Sequence, residues 1–204
     1  MTSTQPTRIL LLSIPNGSSL SDDPPIGASR VADGLDPALG CDVRFLDLYL
    51  EQLPFDEIQR RVAEFSPHII GYSAILVHTY AYVKKLSLFL KGAFPESIQV
   101  LGGGMAVAAN IVLRKTKVDF CVSGDSEPTF SQLVAELQRN RFDLTARAGY
   151  RNIKGLVFLD EGKPHFTGYA PPPPVIRQVN WDFVAKFTKL EHYMPPAGSR
   201  YARG

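Results

Sequence analysis

Residues 67–130 carry three apolar runs, PHIIGYSA (67–74), QVLGGGM (99–105) and VDFCVSGDSEPTF (118–130). None of them alternates polar with apolar, as a half-exposed strand would. Continuous runs of this length belong to strands covered on both faces, which is the environment of a parallel sheet sandwiched by helices. Each run ends in small residues: Ser73-Ala74, Gly102-Gly103-Gly104 and Ser123-Gly124-Asp125-Ser126. Small residues beyond strand ends let a ligand come close to the backbone.

Working outward, Arg8–Ile14 and Val43–Leu48 are two further strand-length runs. Between the strands lie helical patterns. Pro24-Pro25-Ile26-Gly27 opens one, since proline suits a first turn, and Pro37 breaks its end. Phe55, Ile58, Val62 and Phe65 form one apolar face, as do Val83, Leu86 and Leu90, and later Phe130, Leu133, Val134 and Leu137. Met105–Leu113 is expected to be a short helix. The result is five successive strand–helix units in an α/β, doubly wound, flavodoxin-like (Rossmann-like) fold. Its five-stranded parallel sheet is expected in the order 2-1-3-4-5. That order puts a crevice between strands 1 and 3 at their carboxyl ends. The loops lining it supply the candidate site residues: Pro15, Asn16 and Gly17; Ser73, Ala74, Ile75, Val77 and His78; Gly102, Gly103, Gly104 and Met105; Gly124 and Glu127.

Beyond about Asn140 the pattern changes. Lys154–Leu159 and His165–Gly168 flank Asp160-Glu161-Gly162-Lys163, a hairpin with a glycine-containing turn. Pro171–Pro174 imposes an extended segment. Val175–Lys189, with the lone Trp181, is expected to hold a short helix docked on the domain. The chain thus divides into an α/β domain (1–145) and a hairpin, proline-rich linker and tail (146–204).

Composition narrows the function. The 204 residues carry a net charge of +2, with basic residues scattered rather than striped. No nucleic-acid footprint is expected. No apolar run reaches membrane-spanning length, and the N-terminus lacks a signal-peptide pattern, so a cytoplasmic location is the expectation. Cys41 and Cys121 lie far apart within strands and read as buried, inert thiols. There is no GxxxxGK[ST], no GxGxxG after the first strand and no GxSxG. Ser13 and Ser73 stand where a phosphoacceptor receiver domain needs carboxylates. His68 reads as a strand-end histidine, and His78 opens a helix at the crevice mouth. Ser126 reads as the N-cap of the last helix of the α/β domain, with Glu127 and Pro128 in its first turn. Gly102–Gly104 also suits a tight turn with no ligand, and the Met105–Ala109 run suits packing.

PPIG before the first helix, IIGYSA, VLGGGM and VDFCVSGDSEPTFSQLV, in this order and spacing, resemble the N-terminal cobalamin-binding domain of B12-dependent radical S-adenosylmethionine enzymes. Gly124-Asp125-Ser126-Glu127-Pro128-Thr129-Phe130 stands where that family has an element close to GEGE followed by Thr-Phe. The hairpin and the prolines after it resemble the family's linker to its radical core. The resemblance implies a corrinoid bound over the crevice. Ser73 would then lie in the turn after strand three, Gly102–Gly104 against the nucleotide tail, and Gly124 and Glu127 at the ends of the GEGE-like element. A DxHxxG motif is absent after strand one, which implies base-off cobalamin without a histidine ligand and no protein metal ligand. The CxxxCxxC of a [4Fe–4S] cluster is also absent, and Ser199–Gly204 resembles the lead-in to it. The resemblance therefore implies a chain cut short before the cluster motif, inactive alone, which needs a radical core in cis or in trans. The complete parent, a methyltransferase or cyclase, would also use the cluster and S-adenosylmethionine. Two other readings stay open: an interaction module of the same fold with a vestigial crevice, and a flavin or nucleotide binder.

Overall fold

A computed structural model describes residues 5–15, 24–75, 77–171, 178–186 and 188–193. The strands are β1 (Thr7–Ser13), β2 (Cys41–Asp47), β3 (Ile69–Ser73), β4 (Ile98–Gly102), β5 (Phe120–Val122), β6 (Leu156–Asp160) and β7 (Lys163–Phe166). The helices are α1 (Ile26–Asp33), α2 (Leu48–Glu51), α3 (Phe55–Phe65), α4 (Tyr80–Ala93), α5 (Ala109–Lys115), α6 (Ser126–Arg139), α7 (Arg147–Arg151) and α8 (Trp181–Ala185). One seven-stranded sheet runs β2-β1-β3-β4-β5-β6-β7. Its first five strands are parallel and in the expected order.

The apolar runs form these strands because both of their faces are buried. Leu10, Leu12, Ile70, Tyr72 and Leu101 face a core shared with Ile58, Val62 and Phe65 of α3, Val83, Leu86 and Leu90 of α4, and Val112 and Leu113 of α5. Ile9, Leu11, Ile69, Val100, Phe120 and Val122 face the other core, with Ala28 of α1, Phe130, Leu133, Val134 and Leu137 of α6, and Tyr150 of α7. The alternation of faces along each strand is the period of two inherent to the pleat. The helices after β2, β3 and β4 lie on one side of the sheet, whereas those after β1 and β5 lie on the other.

The hairpin continues the sheet instead of sitting apart. β6 pairs antiparallel with β5, and β7 with β6. Asp160 pairs with Lys163 across a two-residue turn. Glu161 and Gly162 both have positive φ (49° and 76°), the turn whose twist matches a hairpin. Two antiparallel steps bring β7 back parallel to β1–β5, so residues 167–171 emerge at the carboxyl edge of the sheet.

Several local expectations are corrected. The hairpin strands start or end a few residues away from their predicted limits. The expected helix at Met105–Leu113 is a 3-10 turn (Gly104–Ala108) followed by α5. Asp125, not Ser126, is the N-cap of α6; Ser126 is the first helical residue, and its hydroxyl donates to the Gly124 carbonyl at 3.4 Å. Cys41 is only half-buried. The expected polyproline segment and the tail beyond Tyr193 lie outside the described residues, whereas α8 is present and buries Val184.

Candidate functional site

Ser13 of β1 pairs in register with Asp47 of β2 and Ser73 of β3, and Ser73 with Gly102 of β4. These residues mark the carboxyl edge. After β1 the chain turns to α1 on one side of the sheet; after β3 it turns to α4 on the other. This divergence is the topological switch at which doubly wound sheets take their ligands.

The helix distribution opens a cleft there. β3 and β4 have no helix of their own on the α1 side, so a gap remains between α1 and α6. The gap has a cavity volume of about 120 Å³, smaller than the ~300–1,000 Å³ of a site that encloses a whole ligand and sized for one segment of a larger one. Its floor is Leu11, Gly71, Val100 and Val122. Gly27, Ala28 and Val31 of α1 form one wall, and Ser126 and Phe130 of α6 the other. Ser73, Ile75, Gly102 and Gly103 edge the mouth. The lining is mostly apolar, with hydroxyls from Ser73 and Ser126. Tyr72 contributes to the lining too, but its own hydroxyl donates to Gln99 Oε1 at 3.0 Å within the protein. Among the described lining residues there is no Asp, Glu, His, Lys, Arg or Cys.

Among the candidate residues, Ser73, Ile75, Gly102 and Gly103 border the cleft. Ala74 is buried and stitches the two central loops together. Its N–H donates to the Gly102 carbonyl and its carbonyl accepts from the Met105 N–H, both at 3.1 Å. Gly103 has φ +87°, and a Cβ there would sit 2.6 Å from the Ala74 carbonyl oxygen. A Cβ on Gly104 would collide with the Ile75 carbonyl oxygen. These two glycines therefore let the loop after β3 cross the loop after β4. Gly102, by contrast, has only Ser126 Oγ near its Cβ position, at 3.8 Å. Met105 is fully buried in the core on the far side of the sheet. Ile75, at the mouth, and Val77, two residues further on, are more than half exposed. His78 lies in the 3-10 turn Val77–Thr79 just before α4. Glu127 pairs with Arg30 at 2.7 Å, tying α6 to α1. Gly124 lies beside the Tyr169 ring. Pro15 ends the described part of the first loop; Asn16 and Gly17 lie outside the described residues. No cluster of three or more His, Cys, Asp or Glu suited to a metal ion occurs among the described residues, and no described helix is long and apolar enough to cross a membrane.

His68 is remote from the cleft, at the amino end of β3. Its Nδ1 accepts from the Arg8 N–H at 3.0 Å and its ring stacks on Phe142. Burial, and then the Arg8 charge, push its pKa down. Burial raises the thiol of Cys121 to about 12 and that of Cys41 to about 11, so neither is poised as a nucleophile.

Sequence reasoning missed two features. One is the wall Gly27–Val31 and the floor glycine Gly71, although a glycine inside a strand signals close approach. The other is Asp47, fully buried at the end of β2. Its Oδ1 accepts from Ser13 Oγ (2.6 Å) and the Leu50 N–H (3.2 Å). Its Oδ2 accepts from Thr188 Oγ1 (2.5 Å) and the Tyr193 hydroxyl (2.6 Å). Asp47 thereby pins the C-terminal segment to the carboxyl edge. Burial and that carboxylate push the Tyr193 pKa well up. No local motif announces contacts across more than 140 residues.

A doubly wound sheet with an apolar cleft at its switch point is the architecture in which such sheets take ligands. The family model described as "B12 binding domain" matches residues 13–134, and the chain belongs to that family. It is 32% identical over 191 residues to an anaerobic magnesium-protoporphyrin IX monomethyl ester cyclase of Synechocystis, an alignment covering 87% of this chain and 36% of the relative. It is 28% identical over 183 residues to an uncharacterized methyltransferase of Pyrococcus horikoshii, covering 85% and 36%. The chain thus spans about a third of the length of these relatives. The same fold occurs in the radical S-adenosylmethionine methyltransferase TsrM from Kitasatospora setae, solved with cobalamin and a [4Fe-4S] cluster bound (TM-score 0.62, 17% identity, 86% of this chain and 31% of that one). It also occurs in the cobalamin-dependent radical enzyme OxsB with aqua-cobalamin bound (TM-score 0.64, 14% identity, 82% and 23%).

Proposed function

We propose that this chain binds cobalamin at the carboxyl edge of its sheet and presents it to a radical core supplied in cis or in trans. The observation that carries the reading is the open cleft between α1 and α6. Its lining is apolar and its mouth is edged by Gly102 and Gly103, a shape suited to the nucleotide tail. The exposed Ile75 at the mouth, with the exposed Val77 two residues on, offers an apolar rest for the flat corrin, whose rim amides suit backbone groups better than a charged clamp. An interaction module with a vestigial crevice calls for bulky side chains over Gly102–Gly104; a Cβ on Gly102 would meet only Ser126 Oγ, at 3.8 Å, and what lies over Gly103 and Gly104 is the backbone of Ala74 and Ile75.

Bound cobalamin would supply methyl-carrying or radical-linked chemistry; the chain's own part is to bind the cofactor, orient it and shield one face from water. We take the cofactor to be bound base-off, without a protein ligand to cobalt. The assembly would be a cytoplasmic methyltransferase or cyclase, with the cluster and S-adenosylmethionine held by the core. Residues 1–145 would form the cofactor domain and 146–204 the connection to that core. Purified protein mixed with hydroxocobalamin and desalted is expected to keep a corrinoid absorption spectrum of the base-off type. A colourless protein under both oxidising and reducing conditions would overturn the reading.

A further inference from the structure

Tyr169 is 75% exposed. It is not a loose side chain. Phe166 meets it edge-on, with ring centroids 4.9 Å apart and planes at 75°. Tyr169 Cδ1 lies 4.0 Å from the position a Cβ on Gly124 would take. Gly124 sits between Val122 and Ser126, both of which line the cleft. The backbone around the ring is also fixed, because the Gly155 N–H donates to the Gly168 carbonyl at 2.7 Å and the Ser123 N–H to the Gly155 carbonyl at 2.8 Å. The ring is thus packed against Phe166 while most of the residue stays exposed, at the carboxyl edge to which β7 delivers the chain. An aromatic ring with one aromatic neighbour and most of its surface exposed is a stacking surface for a flat apolar partner.

We infer that Tyr169 is a cofactor-contacting residue, the aromatic wall at the β5 end of the corrinoid site. It lies 35 residues beyond the end of the B12-binding match at residue 134, so the hairpin contributes to the site and is more than a connector. The inference rests on the corrinoid reading above and adds to it a residue and a side of the ligand. The bare ring selects a planar, weakly polar edge and accepts it without a new charge.

Titration of hydroxocobalamin against the intact chain, its Tyr169→Ala variant and its Tyr169→Phe variant tests it. Tyr169→Ala is expected to bind roughly tenfold more weakly, while Tyr169→Phe, which keeps the ring, stays within about twofold of the parent. Thermal unfolding of both variants should match the parent, because the ring is mostly exposed. Full affinity in a folded Tyr169→Ala variant would overturn the inference and leave the corrinoid reading standing, the ring then serving as a docking face for protein. Weakening by Tyr169→Phe as large as by Tyr169→Ala would assign the effect to the hydroxyl and also overturn it. A parent chain that does not bind would remove both.

Discussion

Gly27→Leu is expected to separate folding from binding. Gly27 is the second residue of α1 and its missing side chain faces the cleft. A Cβ there would meet Ser73 Oγ at 3.7 Å, an ordinary van der Waals contact, and nothing closer. The backbone is helical, so leucine adds no strain, and its better helix propensity is worth up to about 1 kcal/mol. The unfolding midpoint should therefore hold or rise by roughly 2–4 °C. Because Gly27 lines the cleft, the remaining carbons extend toward the space between α1 and α6. A ligand segment entering that space meets them as an overpacked core meets an extra methylene, at a cost of about 1–3 kcal/mol, or roughly five- to 150-fold in affinity. Gly27→Ala should fall between parent and leucine variant. The assay is visible-absorbance titration with hydroxocobalamin and, in parallel, with cobinamide, which lacks the nucleotide tail. Only hydroxocobalamin should be weakened. A Gly27→Leu protein with the parent's melting temperature and undiminished hydroxocobalamin affinity would refute the assignment of the cleft to the tail.

Gly103→Ala should destabilise the fold by about 1–3 kcal/mol, since its φ is +87° and the obstructing atom is a backbone oxygen; urea denaturation reads this directly, and an unchanged midpoint contradicts the loop-crossing account. Asp47→Ala leaves the hydroxyls of Ser13, Thr188 and Tyr193 without their acceptor, so hydrogen exchange over residues 188–193 should quicken at least tenfold, consistent with a loss of about 1–3 kcal/mol, while exchange in β3 and β4 stays slow. His68 has its pKa lowered in the folded chain, first by burial and then by Arg8. As pH falls, the unfolded chain takes up that proton first, so the contribution of His68 is full above about 6.5 and is lost as pH drops through 6.5 toward the lower folded value. Denaturant midpoints measured from pH 7.5 to about 5.5 should decline less in His68→Asn, which keeps an acceptor for the Arg8 N–H; equal slopes would contradict the assignment.

The parallel sheet was legible because β1, β3, β4 and β5 are largely apolar runs buried on both faces, whereas the edge strand β2 carries the exposed Arg44 and shows the pattern only in its second half. Right-handed crossovers leave few strand orders, and the flavodoxin-like 2-1-3-4-5 is one of them. The hairpin turn was legible from Glu161-Gly162, but its union with β5 was not, because edge pairing is decided by backbone groups that every sequence carries. The candidate loops were legible as strand ends. Their division of labour was not: Gly102, Gly103 and Gly104 look alike in the sequence, yet one edges the cleft and two clear the path of Ala74 and Ile75. Likewise Glu127 could be placed at a helix start, but its partner Arg30 sits on another helix 97 residues earlier. Asp47 was invisible because what makes it a hub is contact with Thr188 and Tyr193.

An apolar gap of this size should collapse unless something holds its walls, since empty space costs dispersion contacts on every side. The structure supplies the restraint. The Arg30–Glu127 ion pair joins α1 to α6, and Gly34 lets them approach so closely that a Cβ there would lie 2.8 Å from Glu127 Cβ. The ion pair is largely shielded from water, so it is screened less than a surface pair. Below the cleft, Phe130, Leu133 and Leu137 pack α6 onto the sheet. The walls are thus fixed at one contact and by the floor, and they cannot close over Gly71 and Gly102. This gives Glu127 a role that a direct ligand contact would not explain: its carboxylate is spent on Arg30, and what it contributes to the site is width.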